Sequence, residues 1–161
     1  MWFGTKAQAW GFDLIVASAI FLVGAVFIYY FSINDSKFDS QDYSALKKES
    51  SLIAESLLTS GFPENWNSQN VIIIGLTDDD QFNETKLQRF YDLAQSNYDT
   101  TKPLFNIRYD YLVNFSRAID VNSIEISSIG LQPNNQKNLA KTERAIVYKG
   151  EIITMEVYSW N

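Results

Sequence analysis

The chain has 161 residues, 46% apolar and 15% aromatic, with 13 basic against 19 acidic side chains for a net charge of −6. That composition excludes a largely disordered chain, and the absence of a basic stripe excludes the electrostatic footprint of a nucleic-acid partner. With no cysteine and no histidine, structural disulfides, Cys/His zinc sites, haem held by His or Cys, thiol nucleophiles and histidine triads are all excluded; no cofactor is expected.

In chain order, the first element is Gly11 to Ser32, GFDLIVASAIFLVGAVFIYYFS. Its apolar residues number about twenty, enough for one helical crossing of a bilayer ~30 Å thick, and only Asp13 and Ser18 interrupt it before Ser32. A short leader with one basic residue, Lys6, precedes it, and a polar flank with Asp35, Asp39 and Asp42 against Lys37 follows. Lys6, the amino terminus and the acids beyond the span place the N-terminus in the cytoplasm and the rest outside. Trp2, Phe3 and Trp10 before the span, with Tyr29, Tyr30 and Phe31 at its end, stand at interfacial positions. Ala17 with Gly24 and Ser18 with Ala25 recur at seven-residue spacing, a strip of small residues where another membrane helix can approach; small residues scattered on a lipid-facing helix give the same pattern.

Beyond the flank, Tyr43, Leu46, Ile53 and Leu57 give an amphipathic helix that Gly61 and Pro63 stop. A break is expected near Asn34 to Ser40, before it. Val71 to Leu76 is β-branched and is expected as a buried strand. Asn83 to Ala94 is a second helix, capped by Asn83, and Thr100 to Phe105, with Pro103, is expected to be irregular. Asn106 to Phe115 alternates, with Ile107, Tyr109, Tyr111, Val113 and Phe115 on one face of a half-buried strand. Ser123 to Ile129 is a shorter strand and Gln132 to Lys137 a loop. Thr142 to Tyr148 and Glu151 to Trp160 form a hairpin closed by Lys149-Gly150. The order predicts an α+β domain, a long helix on a mainly antiparallel β-sheet.

Little in the sequence points to catalysis, and an enzyme is not expected. Asp78-Asp79-Asp80 is the one dense acidic cluster; it has oxygen ligands suited to calcium but not the spacing of an EF-hand, and a solvated loop before a helix explains it as well. The remaining glutamates are dispersed, and the seven glycines are isolated, without a phosphate-binding loop. Three N-glycosylation sequons occur, at Asn34, Asn83 and Asn114.

The leader admits three readings: a removed secretory signal, an ordinary signal anchor, or a processed leader. The third rests on Lys6-Ala7-Gln8-Ala9-Trp10-Gly11-Phe12-Asp13, a basic-small pair, a glutamine and an acid just inside the apolar run. This stretch resembles the class III, prepilin-type signal sequence of archaeal type IV pilin-like proteins. The pieces Gly61 to Trp66, Ile74 to Leu76, Phe82 to Leu87, Lys102 to Tyr111 and Glu143 to Gly150 also look like segments of archaeal pilin-like membrane proteins. The resemblance implies a type IV pilin-like fold and a structural subunit, pilin or minor pilin, of a surface filament or membrane machine. It implies cutting between Ala7 and Gln8 by a prepilin peptidase-like protease. The segments are then a leader over 1–7, a transmembrane and assembly helix over 8–33, and an extracytoplasmic domain over 34–161. The family usually places its acid fifth after the cut; Asp13 is sixth from that site and fifth if the cut follows Gln8. The implied partners are the bilayer, copies of the chain and other pilins, with Asp13 as an assembly contact. The alternative is a non-assembling, single-pass membrane protein with a binding or sensor ectodomain.

Overall fold

The computed structural model describes residues 5–34, 37–79 and 81–161, with side chains over 11–32, 42–79 and 81–161. Two compact units emerge, Met1–Gln41 and Asp42–Asn161. The first is built on α1 (Thr5–Asn34), and α2 (Lys37–Leu57) begins after two residues that lie outside the described set, so the expected break near Asn34 to Ser40 falls partly there.

The second unit is an α+β domain. After α2 come the two-residue strands β1 (Thr77–Asp78) and β2 (Gln81–Phe82), then α3 (Glu84–Phe105), β3 (Asp110–Val121), β4 (Ile124–Gly130), β5 (Leu139–Tyr148) and β6 (Glu151–Trp160). The four long strands form one antiparallel sheet in the order β4-β3-β6-β5. α2 runs beside β5: Ser50 Oγ and Thr142 Oγ1 share a buried hydrogen bond of 2.7 Å, and the Lys47 ammonium donates to the Lys141 carbonyl. α3 packs on β3 and β4. Between helices and sheet lies the core: Ile53, Ala54 and Leu57 of α2, Leu87 and Phe90 of α3, and Tyr111, Val113, Phe115, Met155 and Val157 of the strands.

The local causes are readable. On α2, Leu46, Ser50, Ile53, Ala54 and Leu57 are buried, the three-four spacing of one helical face. The Asn83 side chain caps α3 by accepting from the Lys86 N–H at 3.0 Å. At the other end Asn106 adopts the left-handed conformation (φ 56°) and its N–H meets the carbonyls of Lys102 and Pro103. The hairpin turn Lys149-Gly150 has φ of 51° and 79°, the doubly positive geometry whose twist matches the strands on either side.

Three expectations are corrected. The strand expected over Asn106 to Phe115 starts only at Asp110 and runs on to Val121, because Asn106 closes α3 in the left-handed conformation and Glu49 holds the Arg108 and Tyr109 N–H groups in the turn that follows. Among the described residues Val71 to Leu76 forms no regular strand and its only bridge is Phe62 with Ile73; Ile72 and Ile73 are exposed while Ile74 and Leu76 are buried. The segment is held as a loop. The Leu76 N–H donates to the Leu57 carbonyl, Ser56 Oγ donates to the Ile74 carbonyl, and the buried Trp66 Nε1 donates to the Gly75 carbonyl at 3.1 Å. Backbone crosses so closely there that a Cβ on Gly75 would fall 2.2 Å from Gly61 N and Thr59 O. Thr100 to Phe105 is helical, not irregular. α3 breaks at Asn97 (φ −158°, ψ 81°) and resumes with Pro103 inside its last turns. The resumption is fixed by Tyr98, whose hydroxyl accepts from the Tyr111 N–H at 2.8 Å, and by the buried Thr101, bonded to the Tyr111 hydroxyl.

The β3 register jumps between Asn114 and Ile119. The residues that bow out stay tied to β6: Ser116 Oγ accepts from the Thr154 N–H at 3.0 Å, and Arg117 pairs with Glu151. A bulge there ends regular β3–β6 pairing at Phe115.

Candidate functional site: the apolar helix

Gly11 to Ser32 of α1 is long and apolar enough to cross a membrane, and none of it is buried within the chain. Large side chains stand out all round it: Phe12, Leu14, Ile20, Phe21, Val26, Ile28 and Tyr29 are each exposed. An apolar helix without an amphipathic stripe matches a lipid environment or a bundle of like helices rather than a soluble surface. The chain thus carries an N-terminal apolar helix, consistent with a single-pass anchor, followed by a β-sheet domain.

Asp13 has no hydrogen bond or ion pair among the described residues, and it is exposed. A carboxylate within an apolar span costs roughly 2.5–3.5 kcal/mol at mid-bilayer and is relieved by a partner or by a position near the interface. Ser18 needs no such relief, since its hydroxyl donates to the Leu14 carbonyl at 2.7 Å. At 100° per residue, Asp13, Ala17 and Gly24 fall within a sector of about 40°. Phe21, Gly24, Ala25, Ile28, Tyr29 and Ser32 line a shallow groove that shares only Gly24 with that sector, open enough that a Cβ on Gly24 would meet nothing within 4 Å. Ala7 and Gln8 fall within the α1 backbone; their side chains, and that of Asn34, lie outside the described residues.

The other candidate residues are engaged in the domain. Asn83 is the α3 cap and also donates from Nδ2 to Asp78. Asn114 donates to Glu156 at 3.2 Å across β3 and β6. Both amides are half-buried. Of the acidic cluster, Asp78 pairs with Lys86; Asp80 lies outside the described residues, and no metal-holding group of three or more acids is present among the described ones.

Three positions that the sequence reading did not single out organise the domain. Lys86 is 2% exposed and donates to the carbonyls of Ser60 and Thr77, each at 2.9 Å, besides Asp78. All three protons of the ammonium are used, and they clamp β1 and the loop after α2 to α3. Glu49 accepts from the backbone N–H groups of Arg108 and Tyr109 at 3.1 and 3.0 Å, fixing the turn between α3 and β3. Both charges lie on apolar faces, Glu49 between Leu46 and Ile53 and Lys86 beside Leu87 and Phe90, and that placement was the signal available. Tyr98 is the third. Burial pushes its phenol well above the usual range, and the same holds for Tyr111, so both hydroxyls remain protonated donors.

On the open face, Lys141 bonds Glu143 and Glu156, each at 2.6 Å. The Lys141 ammonium and the Asn114 amide lower the Glu156 carboxyl, and the two carboxylates hold Lys141 protonated. The Lys149 ammonium and the Tyr148 hydroxyl lower Glu84 likewise. These are strand-to-strand and helix-to-turn ties, with charges neutralised in place.

No protein-family model matches this chain, no curated protein matches it, and no solved structure matches its fold.

Proposed function

We propose that the chain is a structural subunit, a pilin or minor pilin-like protein, of a type IV pilus-like surface filament or membrane machine of the archaeal kind. The observation that carries this reading is an apolar helix exposed on every side over its described side chains, with one acid near its start that has no partner among the described residues. A simple anchor requires the apolar length but not the acid. Copies packed through α1 bury its surface and give Asp13 a polar partner in a neighbouring subunit. Before assembly the same helix holds the subunit in the bilayer, with the N-terminus cytoplasmic and the domain outside.

The leader, Lys6-Ala7-Gln8, is the substrate of a prepilin peptidase-like protease in this reading, and other pilins are eligible neighbours. Support for a structural rather than catalytic role comes from the titratable groups. Lys86, Glu49 and Lys141 are each bound to several atoms of the fold. With the domain outside the cell the sequons at Asn34, Asn83 and Asn114 face a glycosylation machinery, but the amides of Asn83 and Asn114 are held by Asp78 and Glu156, so modification there requires those bonds to open.

Substituting Asp13 by Ala tests the assembly role. Chemical crosslinking in native membranes is expected to give a ladder of multimers for the unchanged chain and to lose it for Asp13→Ala. An unaltered ladder would remove Asp13 from assembly, and the absence of a ladder from the unchanged chain would favour a solitary anchored ectodomain.

A further inference from the structure

Three polar side chains of the domain meet at one point that the assembly reading does not use. Lys86 of α3 is 2% exposed, and no other lysine or arginine is buried among the described residues. Its Nζ contacts Asp78 Oδ1, and Asn83 Nδ2 donates to Asp78 Oδ2. One carboxyl group is thus held between an amine and an amide donor. The ion pairs of Lys141 with Glu143 and of Lys149 with Glu84 stand open to water instead, which solvates both charges and keeps such pairs weak.

The Lys86 nitrogen is oriented as well as buried. Two of its N–H bonds are fixed on the Ser60 and Thr77 carbonyls, each at 2.9 Å, so its remaining tetrahedral direction is the one toward Asp78. When that third proton is given up, the lone pair left behind faces the carboxyl group. Asp78 is half-exposed, so its carboxyl can turn about the Cβ–Cγ bond to present Cγ, and a water released there has a path out.

We propose that Lys86 and Asp78 condense to an intramolecular isopeptide bond, a covalent staple between the first turn of α3 and β1. The Lys86 ammonium gives one proton to Asp78 Oδ1, and the freed lone pair bonds to Cγ. The oxygen at the Oδ2 position then carries the charge of the tetrahedral centre and is held by Asn83 Nδ2, an oxyanion donor already in place. The Cγ–Oδ1 bond breaks, and that oxygen leaves as water with a second proton from the nitrogen. Ammonium and carboxylate become amide and water, with no oxidant, reductant or co-reactant. A carboxyl group is a poor electrophile, but well-oriented groups of one molecule react at effective concentrations of roughly 10⁵–10⁸ M. The amide keeps one N–H for the buried Thr77 carbonyl, while the half-buried Ser60 carbonyl turns to water. The chain has no cysteine, so this bond gives the domain a crosslink that reduction cannot open.

The test is tryptic peptide mapping by mass spectrometry of the full chain from its native membrane. No lysine or arginine lies between Lys48 and Lys86, so Asp78 and Lys86 share one peptide. The expected result is no cut after Lys86 and a peptide over 49–89 lighter than its sequence by one water, with no fragment ions from breaks between Asp78 and Lys86. Lys86→Arg is expected to restore both the cut and the full mass, and Asp78→Ala likewise. A peptide over 49–86 of full mass overturns the proposal. So does one lighter by a water but still cut after Lys86, which is an aspartate closed on its own backbone. Loss of ammonia with the cut absent overturns Asp78 as the acceptor in favour of the Asn83 amide. A water loss that persists in Lys86→Arg overturns Lys86 as the nucleophile.

Discussion

α1 and the domain that follows solve opposite problems with the same residue types. The domain hides Leu46, Ile53, Leu57, Phe90 and Val113 from water and satisfies its buried charges internally. α1 leaves Leu14, Ile20, Phe21 and Ile28 exposed, and Asp13 has no partner among the described residues. The domain is therefore complete as a folded object, whereas α1 is complete only with lipid or other helices around it. Substitutions that damage one should spare the other.

The largest effect is expected at Trp66. Trp66→Ala removes a fully buried ring and its bond to Gly75, and should cost ~3–5 kcal/mol of domain stability, measured by denaturant unfolding of the full chain in detergent. Lys86→Met comes next. Asp78, 42% exposed, can rehydrate, but the carbonyls of Ser60 and Thr77 lose their donor, so a loss of about 1–3 kcal/mol is expected. Gly150→Ala, at φ 79°, should cost about 1 kcal/mol. The pH dependence is smaller still. Glu156 is lowered from 4.5 by Lys141, so its contribution is present above that value and lost as the pH falls through the folded one; Lys141, raised from 10.5, contributes below that value and loses its effect at higher pH. Glu156→Gln should flatten the acid limb of a stability–pH curve without moving the midpoint of the core variants. Gly24→Leu should leave domain unfolding unchanged and reduce only the multimer ladder. A loss of domain stability there would break the division between the two regions.

Periodicity made most of this legible. The three-four spacing on α2 and α3, the alternation of Tyr111, Val113 and Phe115, and Lys149-Gly150 all named their elements, because local geometry and burial agreed there. Val71 to Leu76 misled because β-branched residues report burial or strand fit only when a partner strand exists; here the neighbours of Ile74 are the end of α2 and the Trp66 indole. Pro103 misled because the helix restarts at Asn97, and that restart depends on Tyr98 reaching Tyr111, a tertiary contact. Among the candidate positions, the apolar span and Asp13 were plain from hydropathy. Lys86 and Glu49 required noticing charge on an apolar face.

The central claim, a subunit whose apolar helix is retained after its leader is cut, is tested most directly by the intact mass and N-terminal sequence of the protein from its native membrane. The account predicts a new amino terminus at Gln8 or within a residue of it, with Gly11 to Ser32 still present. An intact Met1 would contradict it in favour of a plain anchor, and a terminus beyond Ser32 would contradict every reading that keeps the helix.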